Sequence, residues 1–184
     1  MKKLISWLAV LVLATGLGLI VPGSASAAAP YCGITWGSQP KSSGGVVAPP
    51  RVPHVTNVRA GRHACFDRLV VDLDNEVKGY DVRYRAFRGI GSGARLPLRG
   101  TDLVLLVDAP AYDDNGVGTY EFDDPQELVD VDGYRTFRQV AWGGSFEAKT
   151  NLGLGVRARL PFRVFVLDGP GNGSRLVVDV AHRW

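Results

Sequence analysis

The chain has 184 residues, 21 Lys and Arg against 18 Asp and Glu, and an isoelectric point near 9.0. This balance first indicates a basic, nucleic-acid-binding protein, but Lys2 and Lys3 lie directly before an apolar run at residues 4–21, a pattern typical of export signals. Removing residues 1–27 leaves 157 residues with 19 basic and 18 acidic side chains. Near-neutral charge excludes bulk attraction to a polyanion, and this length suffices for one domain with its own core.

Residues 1–27 are predicted to be a secretory signal peptide. The apolar run ends at a Pro-Gly pair, and Ala25-Ser26-Ala27 supplies the small residues that signal peptidase requires. An uncleaved membrane anchor is the alternative, because 18 mostly apolar residues reach the lower limit for a spanning helix. A stop-transfer sequence would carry Lys or Arg after the run, and none stands there. We therefore expect a secreted, extracytoplasmic protein with no membrane segment beyond the signal peptide.

Residues 28–53 are rich in Ala, Pro, Gly and Ser and are predicted to form an extended arm. The chain has two cysteines, Cys32 in this arm and Cys65 beyond it. Such a pair normally closes in the oxidising compartments that exported proteins meet, so we expect a Cys32–Cys65 disulfide that pins the arm to the domain. A catalytic thiol is the alternative, because His63 lies two residues before Cys65 and would share its strand face.

Residues 54–184 are predicted to form one all-β domain, because short β-branched runs alternate there with Gly, Asp and Pro. Leu69, Val71 and Leu73 fall on one face of their run, as in a strand with one buried side. Alternation of this kind predicts nine strands, at residues 55–59, 66–74, 81–87, 95–98, 102–109, 136–142, 146–156, 161–167 and 174–182. About nine short, mainly antiparallel strands in about 130 residues predict a β-sandwich, preceded by the arm and the signal peptide.

Glycine-rich strings at residues 89–93, 142–145 and 168–173 are predicted to be turns between these strands. The last of them joins two runs of matching length, which predicts a C-terminal antiparallel hairpin. Asn172-Gly173-Ser174 matches the glycosylation sequon, but Asn-Gly is also a common hairpin turn, and we interpret it as turn chemistry.

Seven strings of the chain form a recognisable set: Cys32-Gly-Ile-Thr-Trp-Gly-Ser-x-x-Lys41, Phe66-Asp-Arg-Leu-Val-Val-Asp-Leu73, Gly79-Tyr-Asp-Val-Arg-Tyr84, Gly91-Ser-Gly93, Phe146-Glu-Ala-Lys-Thr150, Pro161-Phe-Arg-Val-Phe165 and Arg175-Leu-Val-Val-Asp179. Together they resemble the AMIN-like domain of secreted proteins and lipoproteins of high-GC Gram-positive bacteria. The resemblance covers residue 54 to the C-terminus, with the Cys-Trp arm as an upstream companion. It implies a non-catalytic β-sandwich that carries a protein to the cell envelope and contacts peptidoglycan.

The sequence offers few residues in catalytic arrangements. Its three histidines, His54, His63 and His182, lack the His-x-x-x-His spacing that places two metal ligands on one face. No serine beyond the signal peptide stands in a Gly-x-Ser-x-Gly motif. We therefore expect no enzyme activity, no cofactor and no catalytic metal.

Residues 113–132 are the most biased segment, with eight acids and no Lys or Arg. This segment is a candidate acidic loop, and its candidate site residues are Asp113, Asp114, Glu121, Asp123 and Asp124. A solvated loop is one interpretation, and Ca²⁺ binding is the other, because Ca²⁺ takes carboxylate and carbonyl oxygens from flexible loops. The EF-hand template does not fit, since Gly116 as its fixed glycine would place the first and last ligands at Ala111 and Phe122.

Arginines are the candidate polymer-binding residues. Arg83, Arg85 and Arg88 alternate with Tyr84 and Phe87, and Tyr84 is a candidate with them. Three further arginines flank another predicted strand pair: Arg157, Arg159 and Arg163. A guanidinium group can donate two parallel hydrogen bonds to a carboxylate or a phosphate. Peptidoglycan stem peptides carry carboxylates, and teichoic acids carry phosphates. The alternative is that these arginines are solvent-exposed side chains on the outer face of a sheet and bind no ligand.

Trp142 is the aromatic candidate for binding, because the following Gly143 and Gly144 would leave its ring open for stacking on a sugar, together with Tyr134 and Phe137. A buried core tryptophan is the alternative. The sequence thus favours a secreted, non-catalytic module that binds peptidoglycan or an anionic wall polymer. The competing hypothesis is a structural or protein-partner domain without glycan affinity, and export argues against a nucleic-acid partner.

Overall fold

The computed structural model describes residues 30–44 and 52–184, so the signal-peptide prediction lies outside the described residues. The described residues form nine strands: β1 (Lys41–Ser43), β2 (Val55–Arg62), β3 (Phe66–Leu73), β4 (Tyr80–Tyr84), β5 (Thr101–Val107), β6 (Phe137–Phe146), β7 (Lys149–Val156), β8 (Phe162–Asp168) and β9 (Ser174–Ala181). A 3₁₀ turn at Tyr31–Gly33 precedes them. No helix in the described part of the chain is long and apolar enough to cross a membrane.

The strands form two antiparallel sheets, which confirms the predicted all-β sandwich. One sheet has the order β1-β4-β5-β7-β6 and the other the order β2-β3-β9-β8. Alternate residues of the central strands face each other across the interior, and side chains such as Leu69, Leu105, Leu154 and Val178 are fully buried there. The core therefore depends on the period-two alternation that strands such as β3, β5 and β9 show in the sequence.

The predicted strand at residues 95–98 is wrong. Residues 85–100 instead fold over the outer face of the five-stranded sheet, where Phe87 is fully buried and packs with Val104 and Ala141. A Cβ added at Gly153 of β7 would lie 2.6 Å from Cε1 of Phe87. The apolar residues of this segment therefore cover a glycine surface of the sheet rather than pair as a strand, and the ninth strand is β1 in the arm.

The predicted turn at residues 142–145 is also wrong, because β6 continues through it to Phe146 with a bulge. The chain reverses at Glu147 and Ala148, whose φ values of 49° and 58° suit the type I′ loop of a two-residue hairpin. The other two turns are where the glycine strings predict them. The C-terminal hairpin is confirmed, since β8 and β9 pair from Phe162 opposite Val180 to Asp168 opposite Ser174.

The described part of the predicted arm, residues 30–44 and 52–53, packs on the domain, and the remaining residues of the arm lie outside the described part of the chain. Cys32 and Cys65 form the predicted disulfide. Gly37 bridges Phe162 at the edge of one sheet, and β1 then pairs with β4 at the edge of the other. Residues 37–43 therefore cross one side of the sandwich and tie its two sheets together.

Replacing both cysteines by serine is expected to lower the free energy of unfolding by about 3 to 4 kcal/mol, the loop-closure entropy of a 33-residue separation. Urea unfolding of the oxidised wild-type protein and of the Cys32→Ser/Cys65→Ser variant measures this loss. Ser42→Ala in the exposed part of β1 is the control, which should change stability little. A loss below about 0.5 kcal/mol in the double variant, the size of a neutral surface change, would contradict a stabilising role of the bridge.

Candidate binding surface

The structure does not bring the five polymer-binding candidates onto one surface. Arg83 lies on the outer face of β4, where its guanidinium pairs with Asp81. Tyr84 faces the opposite way, and its hydroxyl donates to the Leu160 carbonyl at 2.7 Å and accepts from the Leu160 N–H at 3.0 Å. Burial raises the pKa of Tyr84 to about 12. Arg83 is thus neutralised, and Tyr84 supports the core.

Arg85 and Arg88 follow β4 and are exposed. They line a shallow cavity of about 450 Å³ beside the outer face of the five-stranded sheet, with Ile90 and Leu106 among its apolar walls. Arg88 donates to the Gly93 carbonyl at 2.9 Å, which closes the glycine turn predicted there. Only Arg85 of this pair has no side-chain hydrogen bond among the described residues.

Trp142 lies on the inner side of edge strand β6, partly buried against the core. Its ring contacts Phe122 and Tyr120, with centroids at 5.1 Å and 6.0 Å. Tyr134 and Phe137 instead stack on each other at 5.8 Å, so they do not share a platform with Trp142. Because Ala141 lies on the face of Arg83 and Trp142 is the next residue, Trp142 and Arg83 project from opposite faces of the sheet.

The acidic residues of 113–132 are spread along β6 rather than gathered. Asp113 lies near His54 at one end of the sandwich, whereas Val131 packs toward the other end, and the Leu128 N–H donates to the Val140 carbonyl between them. Oδ1 of Asp113 accepts from the N–H groups of Val117 and Asn115.

These bonds, that of Val117 first, hold the pKa of Asp113 below its ordinary value. Asp124 and Asp130 likewise accept N–H groups of their own turns. Asp114, Glu121 and Asp123 are exposed on the same segment. No group of three or more His, Cys, Asp or Glu with metal-binding geometry occurs within residues 30–44 and 52–184. The acids that accept N–H groups therefore shape their own turns.

Exposed arginines gather where the strands of both sheets end. β2 ends at Arg62, β9 ends at Ala181 opposite Phe66, and β7 ends at Val156 opposite Phe137. The two sheets meet at this end, because the N–H of Thr136 donates to Asp67. The exposed residues brought together here are Arg62, Arg135, Arg157, Arg159 and Arg183, with His63 beside Arg62. We call this surface the arginine end.

The guanidinium groups of the arginine end are not neutralised within the described residues. None of the five lies within 4.0 Å of a carboxylate oxygen there, whereas Arg59, Arg83 and Arg99 each pair with an acid. Arg157 donates to the His182 carbonyl and Arg159 to the Ser38 carbonyl, which fixes both side chains without cancelling their charge. Their positive charge is available to an anion.

Aromatic rings support three of these arginines from behind. The guanidinium carbons of Arg62, Arg159 and Arg183 lie 5.8, 4.8 and 4.5 Å from the ring centroids of Tyr134, Tyr84 and Tyr31. At this range the ring face attracts the cation and limits its rotamers. Trp184, which is 70 % exposed, donates from Nε1 to the Arg159 carbonyl at 3.3 Å. The surface thus combines fixed cations with an exposed indole.

A cavity of about 300 Å³ opens in the arginine end, lined by Arg62, His63, Arg135 and the inner pair Asp67 and His182. The fully buried Asp67 accepts from the Thr136 N–H at 2.6 Å and lies 3.2 Å from Nε2 of His182. Nδ1 of His182 is buried without a hydrogen-bond partner among the described residues. Two unpaired arginines at the rim make this cavity suitable for a small anionic group such as a phosphate or carboxylate.

A second arginine cluster, on the outer face of the four-stranded sheet, is partly neutralised and mostly buried. Arg68 forks onto the fully buried Asp179 with bonds of 2.6 and 2.9 Å, and Nε of Arg163 donates to the same carboxylate at 2.8 Å. The rings of Phe66, Phe165 and Trp36 lie beside these guanidiniums. The cluster packs against Trp36 of the arm. Its two guanidiniums share one carboxylate, so the one net positive charge that remains lies on side chains that are mostly buried.

The sequence pattern singled out Arg83, Arg85 and Arg88, and also Arg157, Arg159 and Arg163. It did not bring Arg157 and Arg159 together with Arg62, Arg135 and Arg183 in the arginine end. Its members are separated by up to 121 positions along the chain, from Arg62 to Arg183. A usable signal was present, because each member stands within three residues of the end of a predicted strand. Antiparallel order would place those particular ends together.

The family model described as AMIN-like domain matches residues 53–182 of the chain. No curated protein and no solved structure matches it. The matched range includes β2 to β9 and leaves out the arm with β1 and Cys32.

Proposed function

The chain belongs to the AMIN-like domain family, and from that premise we propose that it is a non-catalytic cell-envelope module that binds an anionic wall polymer through the arginine end. The observation that carries the proposal is the set of five exposed arginines without carboxylate partners in the described residues. The family match supports an envelope location, since AMIN-like domains are generally binding modules of envelope proteins.

The chemistry of the surface favours a polymer with repeated anionic groups. Arg62 and Arg135 at the cavity rim can receive one phosphate or carboxylate. Arg157, Arg159 and Arg183 flank that cavity on the strand ends that follow, so neighbouring anionic groups of the same polymer have partners as well. The exposed indole of Trp184 offers a flat apolar face on which a sugar ring can stack.

Replacing Arg62 and Arg135 by alanine is expected to weaken binding to purified cell-wall sacculi at least about tenfold. The loss of one charge-assisted hydrogen bond costs about 1.5 kcal/mol, which corresponds to about tenfold in the dissociation constant. Neither side chain forms a hydrogen bond in the described structure, so the variant should fold normally. Co-sedimentation at increasing salt measures the affinity, which should fall as salt screens the contacts.

Arg85→Ala/Arg88→Ala is the matched control, since it removes the same charge from the other exposed arginine pair. Binding that falls equally in both variants would indicate attraction by net charge and contradict a site at the arginine end. Sacculi stripped of phosphodiester polymers separate the two anion sources, because binding that survives stripping depends on peptidoglycan carboxylates. No binding of the wild-type protein to either preparation would overturn the proposal and support a structural or protein-partner domain.

A further inference from the structure

Strand β8 has one edge that no strand pairs within residues 30–44 and 52–184. It lies at the side of the four-stranded sheet, with β9 as its only strand neighbour. The Ala181 N–H donates to the Pro161 carbonyl, and the Phe162 N–H donates outward to Gly37. Because backbone groups alternate in direction along a strand, Val164, Val166 and Asp168 also direct their N–H and C=O groups away from β9.

The other sheet edges are covered or polar. Along β6, the Leu128 N–H and the Pro125 carbonyl bond to Val140 and Trp142. The β4 edge is covered by the three-residue strand β1, and β2 presents exposed Thr56, Asn57 and Arg59. Proteins protect edges by such cover, by charge, by proline or by bulges, because an open edge accepts further strands.

Strand β8 lacks these protections at its centre. Residues 164–167 are Val-Phe-Val-Leu, with no charge and no proline, and the pairing with β9 has no bulge. Val166 and Leu167 are 37 % and 39 % exposed. The guanidinium of Arg163 is held by Asp179 of β9 and therefore lies away from the open edge. An open apolar edge of this kind predicts a strand partner.

We propose that the β8 edge pairs antiparallel with the β8 edge of a second copy of this chain. With Val166 opposite Val166 of the second copy, Phe165 of each copy lies beside Leu167 of the other on one face. Every exposed apolar side chain of the edge then has an apolar neighbour, and the outward N–H and C=O groups pair across a two-fold axis. The two four-stranded sheets become one sheet of eight strands, and neither copy retains the open edge.

Val166→Lys is the first test, because it places two ammonium groups directly opposite each other at the two-fold axis. Sedimentation equilibrium of the secreted protein should show a dimer, and the variant should raise its dissociation constant at least about thirtyfold, from like-charge opposition and lost apolar burial. Val117→Lys is the control, since Val117 is 62 % exposed in a loop away from β8 and should leave the dimer intact. Circular dichroism confirms that each variant is folded.

Val166→Cys tests the register. This variant should form an intermolecular disulfide under mild oxidation, because identical residues face each other at the axis, whereas Val117→Cys should not. A wild-type protein that stays monomeric up to millimolar concentration overturns the proposal, and so does equal cross-linking of both cysteine variants. A monomer that binds an extended peptide of another protein at β8 likewise overturns pairing with a second copy.

Discussion

The Asp179→Ala variant is expected to lose about 3 kcal/mol or more in free energy of unfolding. Asp179 is fully buried and accepts bonds from Arg68 and Arg163, whose side chains are only 24 % and 32 % exposed. Removing the carboxylate leaves two close guanidiniums without a counter-charge beneath aromatic rings, and breaking a buried ion pair in this way costs about 3 to 5 kcal/mol. The partial exposure of both arginines places the loss at the lower end of that range.

Asp72→Ala is the matched control for Asp179→Ala. Asp72 lies on the same outer face, in neighbouring strand β3, and its carboxylate also binds an arginine through two bonds. Arg59 is 49 % exposed there, so the pair should contribute less than about 1 kcal/mol. Urea unfolding of the three proteins gives both differences, and equal losses would contradict the assignment of Asp179 as a buried anchor. Fluorescence of Trp36 should also change in Asp179→Ala, since its ring lies 5.6 Å from the Arg163 guanidinium.

The second large effect is expected for Phe87→Ala, which should cost about 3 to 4 kcal/mol. Phe87 is fully buried in the small cluster between residues 85–100 and the outer face of the five-stranded sheet. Truncation removes its apolar burial and leaves a cavity over Gly143 and Gly153. Phe146→Ala, at a residue 51 % exposed on the same sheet, should change stability by less than about 0.5 kcal/mol.

A double-mutant cycle with Gly153→Ala tests the contact itself. In the wild-type background the new Cβ would lie 2.6 Å from the Phe87 ring, and this overpacking should cost about 1 to 3 kcal/mol. In the Phe87→Ala background the space is open, so the same substitution should cost much less. Additive losses would show that the glycine serves strand geometry rather than the approach of Phe87.

The sequence located most strands because their burial repeats every two residues. Leu103, Leu105 and Val107 alternate in the chain as they do in β5, and no distant contact is needed to infer their shared face. Leu96 and Leu98 show the same alternation, yet they pack beside Phe87 on the outer face and form no strand. A short run of alternating apolar residues therefore indicates that these side chains are buried. Whether the run also pairs as a strand depends on its position relative to the sheet.

The structural role of Gly143 and Gly144 could not be predicted from the local sequence. Gly143 and Gly144 follow an apolar run, which is typical of a turn. Gly143 serves instead as a site of close approach, since an added Cβ would lie 2.7 Å from the Phe87 ring, 56 positions earlier in the chain. The need for a glycine at this position depends on where residues 85–100 pack on the sheet, so it becomes visible only in the tertiary structure.

The sequence by itself determined the β class of this protein, its disulfide and its family, because alternation and motif strings are local in the chain and two cysteines allow one intramolecular pairing. The tertiary structure alone decided which charges remain free. Arg59 pairs with Asp72, Arg68 and Arg163 share Asp179, and only the antiparallel order of strand ends brings five exposed arginines without carboxylate partners together at one end. The physical reason is distance, since a charge is cancelled only by a partner a few ångströms away in space, whatever the separation along the chain.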